Sequence, residues 1–136
     1  MTKYYLDTCI LIDYYEKRGT NGEIALILIN KINHDKDLAI YSDLHIIELK
    51  RLGYSYKEVN SIFRIFFNTI KVHINKNQID EANRLVKYLK IPRKDALHAI
   101  LSRDNESILV SHDAHFQLLK YLINIKRPLE LIEFSF

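Results

Sequence analysis

Short apolar runs alternate along the chain with stretches in which apolar residues recur every three or four positions. The runs Lys3–Leu6, Leu38–Tyr41, Ile70–Ile74, Ile108–Ser111 and Leu129–Phe134 read as strands. Between them, Ile24, Ile27, Leu28 and Ile32 form one helical stripe, and Val59, Ile62, Phe63, Phe66, Phe67 and Ile70 form a stronger one. Ile79, Ala82, Leu85, Val86 and Leu89 make a third stripe. Leu97, Ile100 and Leu101 make a fourth, and Phe116, Leu119, Leu122 and Ile123 a fifth. Strands that alternate with helices are the signature of βαβ units. The expected fold class is therefore α/β, with a central parallel sheet of about five strands flanked by helices.

Boundary residues agree with this periodicity. Ser55 and Glu58 form a capping box ahead of the Val59 stripe, and Gly53 suits the end of the preceding helix. Pro92 suits the first position of a helix, where its missing N–H would be unpaired anyway. Helices near 42–52 and 56–69, joined by so short a turn, predict a helical hairpin projecting from the sheet. That hairpin breaks the simple rhythm, so a strand must insert out of sequence order. A reversal of strand order opens a crevice beyond the carboxyl ends of the strands.

Four acids fall where such a crevice would gather them. Asp7 ends the first strand, and Asp113 follows the fourth. Glu48 lies in a helix directly after the second strand, and Asp95 in the first turn after Pro92. Each has an ordinary reading, since acidic residues cap helix N-termini and complement the helix dipole. Glu48 fits that reading least, because it stands among Ile46, Ile47 and Leu49. Carboxylates converging with no basic residue among them would repel one another, and a hard divalent cation removes that repulsion. An acid-only cluster without a nucleophilic Cys or Lys points to metal-assisted phosphodiester hydrolysis.

Composition narrows the class further. The length of 136 residues fits one domain, spanning 1–136. With 3 glycines and 2 prolines there is little material for a linker. A single cysteine, Cys9, excludes an internal disulfide and a cysteine-based zinc site, and is expected to be a small buried residue of the first helix. No histidine pair has zinc-hydrolase spacing. No run is long enough to span a membrane, and with no signal pattern a cytoplasmic location is expected. The net charge of +3 is compatible with a polyanionic partner without demonstrating one. His112, His115, Arg93 and Lys94 stand beside the acids as possible contacts for such a polyanion, and for RNA if the resemblance given below holds. Asp13 and Glu16 are expected to face solvent, and His98 to be a polar residue on a helix face.

Other acid-rich folds lack their motifs here. A haloacid-dehalogenase-type phosphatase needs Asp-x-Asp, but Asp7 is followed by Thr8 and Cys9. A receiver domain needs paired acids after the first strand and a late lysine, but Asp7 has no acidic neighbour and Ser111-His112-Asp113 supplies no such lysine.

Four blocks resemble the PIN domain family, and within it the VapC-like toxins. They are Tyr5-Leu6-Asp7-Thr8-Cys9-Ile10-Leu11-Ile12-Asp13, Ile46-Ile47-Glu48-Leu49, Pro92-Arg93-Lys94-Asp95-Ala96-Leu97-His98-Ala99-Ile100, and Leu109-Val110-Ser111-His112-Asp113-Ala114-His115-Phe116. The third, with its Asp-Ala-x-x-Ala core, is the most specific. The fourth departs from the commonest form at His112, a difference that touches substrate preference rather than metal binding. The resemblance implies a single PIN-like domain and a Mg²⁺- or Mn²⁺-dependent endoribonuclease. Asp7 and Asp95 would be the principal ligands, with Glu48 and Asp113 completing the site. Thr8 would orient Asp7 or a water, and Ser111 corresponds to a small hydroxyl often found in the fourth block. A VapB-like antitoxin and a homodimer are also implied, with Phe63, Phe66 and Phe67 as a place for either partner. The alternatives are a non-catalytic PIN module that binds RNA or protein, and a housekeeping RNA-processing nuclease.

Overall fold

Tyr4, Tyr5 and Leu6 are all buried, so strand β1 (Lys3–Leu6) is covered on both faces and belongs inside a sheet. The computed structural model, which describes residues 1–132, places it at the centre. The chain continues through α1 (Thr8–Tyr15), α2 (Gly19–His34), β2 (Leu38–Ser42), α3 (Asp43–Arg51) and α4 (Tyr56–Phe63). Then follow β3 (Thr69–Val72), α5 (Lys76–Leu89), α6 (Arg93–Asp104) and β4 (Ile108–Val110). A 3₁₀ helix (Ala114–Leu119), β5 (Asn124–Lys126) and α7 (Pro128–Ile132) complete the described residues.

The five strands are parallel and ordered β3-β2-β1-β4-β5. The chain builds outward from β1 to β3, returns through α5 and α6, and resumes on the other side of β1. The reversal anticipated from the hairpin is thus located between β1 and β4. Side chains alternate across the sheet. Tyr4, Leu6, Ala39 and Val110 join the core beneath α1, α2, α4 and α7, whereas Tyr5, Leu38, Ile40 and Leu109 join the core beneath α5, α6 and the 3₁₀ helix. Burying one large apolar side chain is worth about 1.5–3 kcal/mol. Two such layers can therefore hold a β4 of only 3 residues in place. No helix among the described residues is long and apolar enough to cross a membrane.

The hairpin forms as expected up to its second helix. Ser55 Oγ accepts the Glu58 N–H and Glu58 Oε1 accepts the Ser55 N–H, both at 3.1 Å. Gly53 follows α3 with φ +100°, a conformation that excludes most side chains. The Val59 stripe, however, is not one continuous helix. Asn33 of α2 donates to the Ile65 carbonyl and accepts the Phe67 N–H, at 2.8 and 2.9 Å, and so takes the backbone groups another helical turn would have used. Helix α4 stops at Phe63, Phe66 stays buried, Phe67 is 78% exposed and Ile70 passes into β3.

The last strand is also displaced. β5 pairs with β4 through Ile108↔Asn124, Leu109↔Ile125 and Val110↔Lys126, upstream of the expected Leu129–Phe134. Residues 129–132 are helical instead, and the remainder of that run lies outside the described residues. Pro128 explains the change: it has no N–H for a ladder, and its fixed φ suits the first turn of a helix. Arg127 N–H donates to Glu130 Oε1 at 3.1 Å, closing that turn. The expected Ile70–Ile74 strand sits a residue or two earlier in space, as β3.

Candidate active site

The switch point between β1 and β4 brings the first and fourth sequence blocks together. Asp7 extends the pairing beyond Leu6 by donating its N–H to the Val110 carbonyl at 2.9 Å. It holds the N-cap position of α1, yet its side chain makes no capping hydrogen bond. Its Oδ2 instead accepts a hydrogen bond from Ser111 Oγ at 2.8 Å, and Ser111 Oγ accepts the Asp113 N–H at 2.9 Å. One hydroxyl therefore ties the acid after β1 to the acid after β4. Asp113 does act as a cap, accepting the His115 N–H at 2.8 Å.

Asp95 enters from the first turn of α6, buried to 3% exposure. Its Oδ2 lies 3.1 Å from His115 Nδ1, and that nitrogen is 3.2 Å from Asp113 Oδ1. Asp95, Asp113 and His115 each offer one ligand atom, all within 4.8 Å of one another, a spacing that can hold a divalent cation. Glu48, projecting from α3, sets Oε1 against His98 Nε2 of α6.

Electrostatics couple these groups, although the set spaced to share an ion is Asp95, Asp113 and His115, without Asp7 or Glu48. Burial pushes the Asp7 carboxyl up, and the charge of Glu48 adds to the rise, while His98 and the Ser111 hydrogen bond oppose it. Burial likewise raises Asp95, with Asp113 and then Asp7 adding to it and His115 pulling the other way. Glu48 is thus felt at Asp7, Asp7 at Asp95, and Asp95 shares its neighbourhood with Asp113. Thr8 Oγ1, at the start of α1, is buried without any hydrogen-bond partner. A buried hydroxyl with no protein partner, beside mutually repelling carboxylates, is a lining that fits a hydrated hard cation.

Several expectations change on inspection. The acids are not free of bases, because His98 and His115 stand among them. His98 is no surface residue: it is 1% exposed, since the α6 face that carries it packs on the sheet. Cys9 is exposed rather than buried, and partial desolvation of its sulfur together with the Asp7 charge lifts the thiol to about 11, which disfavours a reactive thiolate. Asp13 is buried, because α2 folds back across the end of α1. The Asp13 carbonyl accepts the Arg18 N–H at 2.9 Å, and a Cβ on Gly22 would come within 2.7 Å of the same oxygen. Arg93, Lys94 and His112 are exposed at the rim.

His98 is the functional candidate that sequence reasoning passed over. It lies three residues after Asp95, one turn on and on the same side of the helix, which was the available signal. What periodicity cannot reveal is that α3 delivers Glu48 to the same spot.

No family model and no curated protein sequence matches the chain. Solved structures do. The chain is similar to VapBC2 from Rickettsia felis bound to a DNA fragment from their promoter, with 18% identity and a TM-score of 0.69, covering 93% of this chain and 98% of that one. It is equally similar to VapBC-1 from nontypeable Haemophilus influenzae, at 17% identity and a TM-score of 0.69 over the same shares. A toxin–antitoxin complex from Klebsiella pneumoniae follows at 15% identity and a TM-score of 0.65, covering 92% and 97%. The chain therefore has an α/β PIN-like fold, shared with toxin–antitoxin proteins along nearly its whole length.

Proposed function

We propose that the chain is a Mg²⁺- or Mn²⁺-dependent endoribonuclease and the toxin of a toxin–antitoxin pair. The observation that carries this reading is the row of Glu48, Asp7, Asp95 and Asp113 at the switch point, with two of its carboxyls raised and Thr8 Oγ1 left unpartnered. Asp7 and Asp95 would be the principal ligands, with Glu48 and Asp113 completing the set. When bound, such a cation lowers the pKa of a coordinated water and offsets charge on the leaving oxygen of a phosphodiester.

The chain's own residues supply the rest. Ser111 orients Asp7 through its donated hydrogen bond. His115, half exposed, bridges Asp95 and Asp113 and offers its ring as a donor to a phosphate oxygen. Arg93, Lys94 and His112 at the rim suit a polyanionic backbone. An antitoxin partner is supported by the similar solved structures, one of which is a toxin–antitoxin complex. It is also supported by an apolar cleft of about 530 Å³ between α1, α2 and α4, lined by Tyr14, Tyr15, Leu26 and Ile65. Ile47, Leu52 and Tyr56 are exposed on the hairpin and suit the contact of a homodimer.

The test is to sequence RNA ends produced by the wild type and by Asp95→Asn in Mn²⁺. Defined new ends that disappear in the variant support the reading. Loss should exceed about 100-fold, since residues that merely orient metal ligands already cost about 10–100-fold. Wild-type-like cleavage by Asp95→Asn would remove its assigned role, and no cleavage by the wild type would leave a binding module.

A further inference from the structure

Behind the acidic row lies a second polar system, and it is almost sealed from solvent. Tyr5, Ser42 and His45 are each 0% exposed and His98 is 1% exposed. Tyr5 Oη lies 2.6 Å from His98 Nδ1 and 3.1 Å from Ser42 Oγ. Ser42 donates its backbone N–H to His45 Nδ1 at 3.0 Å, and His45 Nε2 lies 2.7 Å from the Leu6 carbonyl.

The chemistry sets the direction of this chain. A backbone amide can only donate, so His45 Nδ1 accepts and the proton of that ring sits on Nε2, donated to Leu6. Complete burial holds His45 down to about 3, which agrees with a neutral ring. A carboxylate oxygen that accepts from His98 Nε2–H leaves Nδ1 of that ring to accept the Tyr5 hydroxyl. Tyr5 Oη in turn accepts from Ser42 Oγ. Every donor then has an acceptor.

We infer that His98 is a positioning residue for Glu48, backed by Tyr5, Ser42 and His45, and that this relay registers two acids of the site against each other. One end of the relay grips the carboxylate of Glu48. The other end grips the carbonyl of Leu6, one residue before Asp7 and just past the last β1–β2 pair, Tyr5↔Ile40. Acids that arrive on α3 and after β1 are thereby set by one network running through β1, β2 and α6. A buried polar cluster costs more than an apolar core of the same shape unless each group is paired. The Ser42–His45 part of it caps the start of α3, whereas the Tyr5–His98–Glu48 part reaches into the site. The inference rests on the nuclease reading for its catalytic consequence, but not for its effect on metal affinity.

The experiment compares wild type, His98→Leu, His98→Gln and Tyr5→Phe by RNA cleavage, Mn²⁺ affinity from calorimetry, and melting temperature in chelator. His98→Leu should lower kcat and Mn²⁺ affinity by about 10–100-fold with KM little changed, as expected for a residue that orients a ligand. His98→Gln, whose amide can still donate to Glu48, should recover much of that loss, and Tyr5→Phe should show a smaller loss in the same direction. Equal impairment of the Leu and Gln variants in proportion to lost melting temperature would reduce the relay to scaffolding and overturn the inference. So would His98→Leu retaining kcat and affinity within twofold. Should the wild type bind Mn²⁺ yet cut no RNA, the nuclease reading falls and the affinity comparison still decides the relay. Should it cut RNA while His98→Leu matches it, only the relay falls. A wild type that binds no Mn²⁺ defeats both.

Discussion

Helix α6 carries acidic clusters at both ends, and they are built in opposite ways. Near its C-terminus, Arg103 grips both oxygens of Glu81 on α5 at 2.6 and 2.7 Å and also meets Asp104. The Arg103 hydrogen bonds hold the Glu81 carboxyl below its ordinary range, and those same bonds raise the guanidinium further. At the N-terminus, Asp95 sits where the helix dipole should favour its charge. Burial and the neighbouring Asp113 and Asp7 raise it nonetheless. Acidic residues thus form a closed clamp at one end and a cluster of mutually raised carboxyls at the other. The difference is a fixed cation: the first cluster contains its own, and the second has only histidines.

That contrast can be broken experimentally, and cleavage is the most sensitive place to try. Asp95→Asn should lose more than about 100-fold of RNA cleavage, while Glu81→Gln stays within about twofold of wild type. Comparable losses in both would mean that the two ends do not differ in function. Metal binding comes next. Mn²⁺ at about 100 times its Kd should contribute roughly 2.7 kcal/mol to folding. Thermal melts should show that gain in wild type and Glu81→Gln and little of it in Asp95→Asn. A flat response in wild type at millimolar Mn²⁺ would argue against any ion at the N-terminal end.

Stability without metal gives a smaller effect, with the roles reversed. Glu81→Gln should cost about 0.5–1 kcal/mol by urea unfolding, because the clamp is partly screened and Arg103 keeps Asp104. The smallest effect is in pH dependence. In chelator, folded Asp7 and Asp95 retain protons at pH values where the unfolded chain has lost them. Stability should therefore decline as pH rises from the ordinary carboxylate value through their raised ones. Glu81 has the opposite sign: its contribution is complete above the ordinary value and is lost as pH falls through its depressed one. Asp95→Asn should melt a few degrees above wild type in neutral chelator and converge with it in acid. A variant that melts below wild type at both pH values would show that the carboxylate is a structural anchor.

Much of the fold was readable because its signals are local. Tyr4-Tyr5-Leu6 announces a buried strand, and Ser55 with Glu58 announces a helix start; both stand where expected. Structure departs from the local pattern where a distant partner settles the matter. The Val59 stripe continues past Phe63 in helical period, but Asn33 interrupts it from α2. Leu129–Phe134 is as apolar as any strand, yet β4 pairs upstream and Pro128 turns the rest into helix. The acids are legible for a related reason. Strand ends and first helical turns can be recognised from sequence, and in a parallel sheet with a reversed order such positions share one edge.

The order of residues therefore determined the alternation of strands and helices and the places where carboxylates would meet, because periodicity and capping act within a few residues. Only the tertiary structure decided which side chains stand behind those carboxylates. Tyr5, Ser42, His45 and His98 come from β1, the end of β2, α3 and α6. A hydrogen bond between Tyr5 and His98 spans 93 positions of chain, and no local pattern encodes such a meeting. It follows from the packing of α3 and α6 onto the sheet, which burial drives and sequence spacing does not record.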